Sequence, residues 1–410
     1  MRRRRRAGCL PICLVVLCIG LGVGCIGAGI MKEKGEPLHL VQEKVQKVAQ
    51  QKIPYQEVSI AEAELEGRFY YGFLNEEEKL AYRELLTGLR ENREEIYLHH
   101  GEAERVNTIF QNVLNDNPEL FWCDGRGTTT TYSGGFGQES YIKLEPDYVY
   151  SGSKKEQMLT EIEAAAEEFL TKVPGDASEY EKIRMVYEYL IQMVDYQTDA
   201  PDNQNIYSAL VGHASVCAGY ARSTQYLLEK LGIFCAYVTG TTVGTDGNST
   251  NHAWNLVRCD GSYYFVDTTW GDPVFCGEVS EGQERNITYD FLCCSGRELF
   301  RTHTLDEGYE YPECAKEDLN YYRRNGMYEE SFDQERIRER LYNTIDAGER
   351  DSVFKFADEE VYEQAHNTLL KELVRDAAAY LGRRYGLSEV EYSYSEDPLL
   401  CKIIIFWKYE

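Results

Sequence analysis

The sequence predicts an α+β protein. Its central part packs a cysteine-bearing helix on an antiparallel sheet, with an α/β region before it and a small α/β domain after it. Three patterns carry that expectation. A helical pattern follows Cys217, formed by Tyr220, Ala221, Thr224, Leu227, Leu228 and Leu231, and Gly232 supplies the stop. Two strand-like runs, 251–258 and 262–270, are joined by Asp260-Gly261, a strong hairpin signal. On both sides, helical patterns alternate with strand patterns.

The bulk numbers agree with a packed, multidomain chain. At 410 residues it is too long for one ordinary domain, and 43% hydrophobic with 27% charged residues is globular composition. The formal net charge is −26, or −31 once the five arginines Arg2 to Arg6 are set aside. A body that acidic repels nucleic acid and anionic membrane, so nucleic acid is not an expected partner. Nine cysteines lie outside the apolar leader, an odd number with no C-x-x-C pair, so neither a metal site nor any cofactor is expected.

Arg2 to Arg6 precede an apolar run, Ala7 to Ile30, of 24 residues, long enough to span a bilayer. The basic flank would hold that end in the cytoplasm and place the body outside. A cleaved signal peptide (Gly27-Ala28-Gly29) or a lipid anchor at Cys25 are the rival readings, and all three export the body. Contact with the membrane is therefore expected through this segment only. The expected organisation is residues 1–30 as signal anchor or signal peptide and 31–63 as a stalk. Residues 64–175 then form the α/β region, 176–316 the core, and 317–410 the C-terminal α/β domain.

In the first region, Asn75 caps a helix that opens with three glutamates, and further helices are predicted over 102–114 and 154–170. Thr- and Tyr-rich runs between Gly125 and Tyr150 read as strands. The core opens with a helix over 178–194 whose Ile183, Val186, Tyr187 and Leu190 share a face. In the last domain a helix begins near Asp333 and a strand covers 351–357. One long helix is predicted over 359–384, and Lys402–Trp407 reads as a central strand.

The chemistry lies in the core. Cys217 falls at a helix N-terminus, where the macrodipole and free N–H groups favour a thiolate and can hold an oxyanion. Alone, a cysteine there is more often a packing residue. A two-residue turn at Asp260-Gly261 pairs Cys259 with Ser262, and the same register sets Thr269 opposite His252. It also puts Asp267 on the same face as His252, diagonal to it, at a separation of roughly 7–8 Å that an imidazole and a carboxylate can bridge. Slipping by one residue would put Asp267 on the other face. A base oriented by a carboxylate beside a thiol is the arrangement nucleophilic catalysis requires.

The words Val216-Cys217-Ala218-Gly219-Tyr220-Ala221, His252-Ala253-Trp254-Asn255 and Val266-Asp267-Thr268-Thr269-Trp270-Gly271-Asp272-Pro273 resemble the transglutaminase-like, papain-related superfamily. The likeness is greatest to its bacterial exported members and covers about 187–312. The resemblance implies Cys217 as nucleophile, His252 as general base and Asp267 as its orienting carboxylate. It also implies an upstream polar oxyanion donor, for which Tyr207 is the candidate. Trp254 and Trp270 are candidates for lining a substrate groove, with core packing as the alternative. His303 is expected to make a structural hydrogen bond, His213 to lie on the surface and Asp272 to cap a turn. The glycine-rich stretch 239–247 lacks a phosphate-loop lysine and reads as a flexible connection near the cleft. The resulting expectation is a thiol enzyme acting on peptide or protein. Hydrolysis of cell-envelope peptide or protein is the expected reaction, since it needs no second substrate site; transfer to an amine and a binding module without turnover are the alternatives.

Overall fold

The structure is a computed structural model and describes residues 53–132, 140–244, 247–272 and 287–409. The predicted leader and most of the predicted stalk lie outside these residues, as does Cys276. Among the described residues, no helix is long and apolar enough to cross a membrane.

The first region forms where the capping and alternation patterns place it. Helix α1 (Glu76–Arg90) starts at Asn75, whose side chain accepts the Glu78 N–H while the Glu78 carboxylate accepts the Asn75 N–H. Strand β1 (Ile96–Leu98) and helix α2 (Ala103–Asp116) lead to the antiparallel pair β2 (Cys123–Tyr132) and β3 (Tyr141–Tyr148). The sheet order is β1-β3-β2, and helix α3 (Gly152–Leu170) follows.

The second region opens with α4 (Glu179–Met193), capped by Ser178, and then a short α5 (Ile206–Leu210). Helix α6 (Cys217–Lys230) has Cys217 as its first residue and ends before Gly232, whose φ is +77°. Its sheet contains β4 (Cys235–Val243), β5 (Ser249–Cys259), β6 (Ser262–Val266) and β7 (His303–Leu305), in the order β6-β5-β4-β7 with every pair antiparallel. Asp260 (φ +49°) and Gly261 (φ +75°) both adopt the left-handed conformation that a two-residue hairpin turn demands. Cys259 accordingly pairs with Ser262, as the turn chemistry predicts. The glycine-rich stretch differs from expectation: Thr239–Val243 is ordered strand, hydrogen-bonded to β5 on one side and β7 on the other.

The last region contains β8 (Tyr328–Glu329), α7 (Gln334–Ala347), β9 (Asp351–Phe356), α8 (Glu359–Thr368), α9 (Val374–Tyr385), β10 (Tyr392–Asp397) and β11 (Lys402–Trp407). The order β8-β9-β11-β10 puts β11 inside the sheet, which is why its apolar run is nearly continuous. The single helix expected over 359–384 is two helices joined by a π-helical turn at Leu369–Leu373. The wider turn shifts the phase of the apolar face while leaving its periodicity nearly intact, which conceals it in the sequence.

One hydrophobic cluster runs from Ile60 to Leu319, so the first region and the sheet-bearing region share a core, while a second cluster occupies 337–407. Between the two, buried Asp290 meets Lys355 of β9 at 2.7 Å and Lys402 of β11 at 2.5 Å. Burial by itself would raise the Asp290 carboxyl; the two ammonium groups overcome it and hold the carboxyl well below the usual carboxylate range.

Candidate active site

The segment before Cys217 is held by short-range polar contacts. Residues 195–196 pair in parallel with 214–215, the Val216 N–H donates to Asn203 O, and Ser215 Oγ lies 3.0 Å from Asn203 O and 2.7 Å from Ser208 Oγ. Val216, the N-cap of α6, has no side-chain acceptor, so the first-turn N–H groups receive no side-chain cap. Helix α6 lies on the sheet through Ala218 and Ala221 against Tyr237 and Ala253, with Cys217 at the edge of that contact. The Asn255 amide of β5 donates to Ala221 O at 2.9 Å and fixes the helix over the strand that carries His252.

His252 and Asp267 are both buried, and His252 Nε2 lies 2.6 Å from Asp267 Oδ2. Their approach does not rest on an extended ladder. The Thr269–His252 pairing expected from the register does not form, because the β5–β6 ladder ends at Asn255↔Val266. Beyond it the chain turns: the Asp267 N–H donates to Phe291 O, and Asp267 Oδ1 accepts the N–H groups of Thr269 (2.9 Å) and Trp270 (3.1 Å). The hairpin parity still presents Asp267 on the His252 side.

The Cys217 side chain acts on the same imidazole, being among the groups that raise His252, so Cys217, His252 and Asp267 come together at one place. With Nε2 engaged by Asp267, Nδ1 is the ring nitrogen left for the sulfur. Burial alone would depress His252; its charge attraction to Asp267, their hydrogen bond and the contact with Cys217 reverse that and raise it to about 10. Asp267 shows the complementary effect: burial opposes its ionisation, yet the two histidines hold it well below the usual carboxylate range.

The second histidine is His303. Its Nε2 lies 3.0 Å from the same Asp267 Oδ2, and its Nδ1 lies 2.8 Å from Thr302 Oγ1. Burial pushes His303 below the ordinary histidine value despite the carboxylate. His252, Asp267 and His303 satisfy the spacing of a three-ligand metal site, all ligand atoms falling within 4.8 Å. Here, however, Nε2 of both histidines and Oδ2 of Asp267 are spent on each other, which already accounts for the spacing.

The other sequence-derived candidates fall elsewhere. Tyr207 is not brought to the triad: its hydroxyl donates to Glu161 at 2.7 Å and its ring stacks near Phe121. Trp254 is fully buried and stacks behind His252 at 5.8 Å, so it supports the imidazole from within the core and lines no groove. Trp270 is partly exposed and meets the His252 ring at 6.3 Å. His213 is exposed. Asp272 is fully buried, and its Oδ2 lies 2.9 Å from the Tyr220 hydroxyl, a tie from the triad turn to α6.

A cleft of about 370 Å³ opens beside the start of α6, with Ala218, Arg222, Tyr237, Phe121, Asp202 and Gln204 among its lining residues. Sequence reasoning singled out none of these except through Cys217's neighbour Ala218, because the cleft is formed between the first region and the core. The Arg222 guanidinium sits over the Tyr237 ring at 4.3 Å and donates to Leu114 O, closing one wall.

Residues 165–268 match the family model described as the transglutaminase-like superfamily. The matched segment contains Cys217, His252 and Asp267 and comprises helix α6 with three of the four strands of the sheet it packs on. A curated relative, kyphoscoliosis peptidase of Mus musculus, is 24% identical over 106 residues, covering 23% of this chain and 16% of that protein's length. Among solved structures, one described as a TGase has a TM-score of 0.23 at 12% identity, covering 40% of this chain and 54% of its own. A Cytophaga hutchinsonii protein described as a candidate cysteine protease has a TM-score of 0.23 at 12% identity, covering 47% of this chain and 80% of its own.

Proposed function

We propose that this protein is an exported thiol enzyme that cleaves amide or peptide bonds through a thioester on Cys217, acting on cell-envelope peptide or protein. The observation that carries this reading is the 2.6 Å contact between His252 Nε2 and Asp267 Oδ2, with Cys217 at the start of α6 acting on the same imidazole. Export rests on the basic and apolar N-terminal run, and the envelope substrate rests on export.

The chemistry follows from those contacts. His252 takes the Cys217 proton, and Asp267 supports the imidazolium and fixes its tautomer. The sulfur attacks the carbonyl carbon, and the oxyanion develops at the N-terminus of α6, where uncapped N–H groups and the helix dipole receive it. His252 returns its proton to the leaving amine, giving the thioester. Water, deprotonated by His252, then displaces the sulfur and restores the thiol.

The test is alkylation of Cys217 by iodoacetamide in the full-length protein and in His252→Ala, with separate incubation of the unalkylated full-length protein with glutamine-containing peptides. Rapid labelling that is lost in His252→Ala supports the triad. Labelling that is slow and indifferent to His252 rejects it and leaves a binding module. Release of ammonia or of a peptide fragment identifies a hydrolase, whereas incorporation of a primary amine identifies a transferase and overturns the hydrolytic part.

A further inference from the structure

We propose that His303 is a positioning residue of the triad: a second imidazole that holds the Asp267 carboxylate in place by donating to the oxygen that also accepts from His252. The inference rests on the triad reading above and extends it to a residue outside the matched segment 165–268.

The geometry constrains the proton positions. An ionised Asp267 only accepts, so His303 Nε2, at 3.0 Å from Oδ2, carries a hydrogen. A neutral His303 must then accept at Nδ1, and the Thr302 hydroxyl, 2.8 Å from Nδ1 and 3.4 Å from Leu299 O, donates its one hydrogen to the nearer of the two acceptors. Thr302 thus selects the tautomer of His303, as Asp267 selects that of His252. With the Thr269 and Trp270 N–H groups on Oδ1, the carboxylate has both oxygens held by donors from three segments of chain.

The surroundings leave His303 little freedom to turn. It is 2% exposed, and its ring lies 5.0 Å from Trp254, 5.1 Å from Trp270 and 5.0 Å from Phe291. The pairing of Thr242 with His303 attaches its backbone to β4, the strand beside the one that carries His252. Two imidazoles on one carboxylate oxygen also divide its hydrogen-bonding capacity. His303 therefore fixes the direction of the Asp267–His252 bond and limits how strongly Asp267 can hold the imidazolium.

The experiment compares Cys217 alkylation by iodoacetamide in wild type, His303→Leu, His303→Gln and Thr302→Val, with thermal unfolding of each. His303→Leu is expected to slow His252-dependent alkylation about 10- to 100-fold, the range for losing a group that orients a reactive ligand. His303→Gln places an N–H at a similar reach and is expected to recover most of that loss. Thr302→Val, nearly isosteric, is expected to slow the reaction several-fold and serves if His303→Leu does not fold. Wild-type rates in folded His303→Leu or Thr302→Val, or a Gln variant no faster than the Leu variant, overturn the proposal. A wild-type rate indifferent to His252→Ala rejects the triad instead, so the two failures are distinguishable.

Discussion

His252 Nε2 reaches Asp267 Oδ2 at 2.6 Å although the ladder joining their strands has already ended at Asn255↔Val266. Hairpin parity chooses the side on which Asp267 emerges, and the turn that follows, pinned by the Thr269 and Trp270 N–H groups, aims the carboxylate. Asp267→Asn keeps the size of the group but removes the acceptor that fixes the imidazole tautomer. Turnover should fall by about 10³- to 10⁴-fold with little change in secondary structure. Steady-state kinetics on any peptide substrate the protein turns over checks this, and a loss smaller than tenfold contradicts it.

The same pair sets a pH window. His252 is raised to about 10, above an unfolded value of about 6.5, so its contribution to stability is full below about 6.5 and disappears as pH rises through about 10. Turnover should likewise fall at alkaline pH as the imidazolium, which protonates the leaving amine, loses its proton. In Asp267→Asn the carboxylate's attraction is gone while burial remains, so the alkaline limit should move to lower pH. A pH–rate profile of both proteins reads this; an unchanged limit contradicts the assigned cause.

Asp290 carries two buried lysines across the boundary between the two hydrophobic clusters. Asp290→Ala leaves both ammonium groups buried without their carboxylate and should cost about 3–5 kcal/mol in urea unfolding. Because the Asp290 carboxyl is held below its usual range, the stability it adds is present above about pH 4 and is lost as pH falls toward its folded value. A variant within 1 kcal/mol of wild type would show that water reaches the lysines.

Gly219 lies in the first turn of α6. A Cβ there would collide with Ser215 Oγ and lie 3.0 Å from the Asn203–Asn205 loop at Asn205 O. Gly219→Ala should therefore push the helix start away from the segment that seats Cys217, costing about 1–3 kcal/mol. Alkylation of Cys217 should slow as well. Thermal unfolding and the labelling rate check the two effects, and normal values in both would mean the serine side chain simply rotates away.

Much of this protein is legible in its own sequence, because local chemistry decides it. Asn75 and Ser178 start helices by bonding their own first turns, and Asp260-Gly261 dictates a left-handed two-residue turn and hence the β5–β6 register. Cys217 at a helix start follows from the periodicity after it. These interactions span at most a few residues, so the order of side chains suffices to reveal them.

Tertiary structure alone decided the rest. His303 lies 36 residues beyond Asp267 and meets it only because β7 pairs with β4. The depth of Trp254, the diversion of the Tyr207 hydroxyl to Glu161 and the cleft beside α6 likewise depend on how the first region and the sheet close on one core. No periodicity encodes such contacts: they arise when distant apolar faces are buried together, and the polar groups carried along must find partners there. The sequence by itself determined which residues could form the triad; the packed fold determined that the carboxylate at its base serves two histidines.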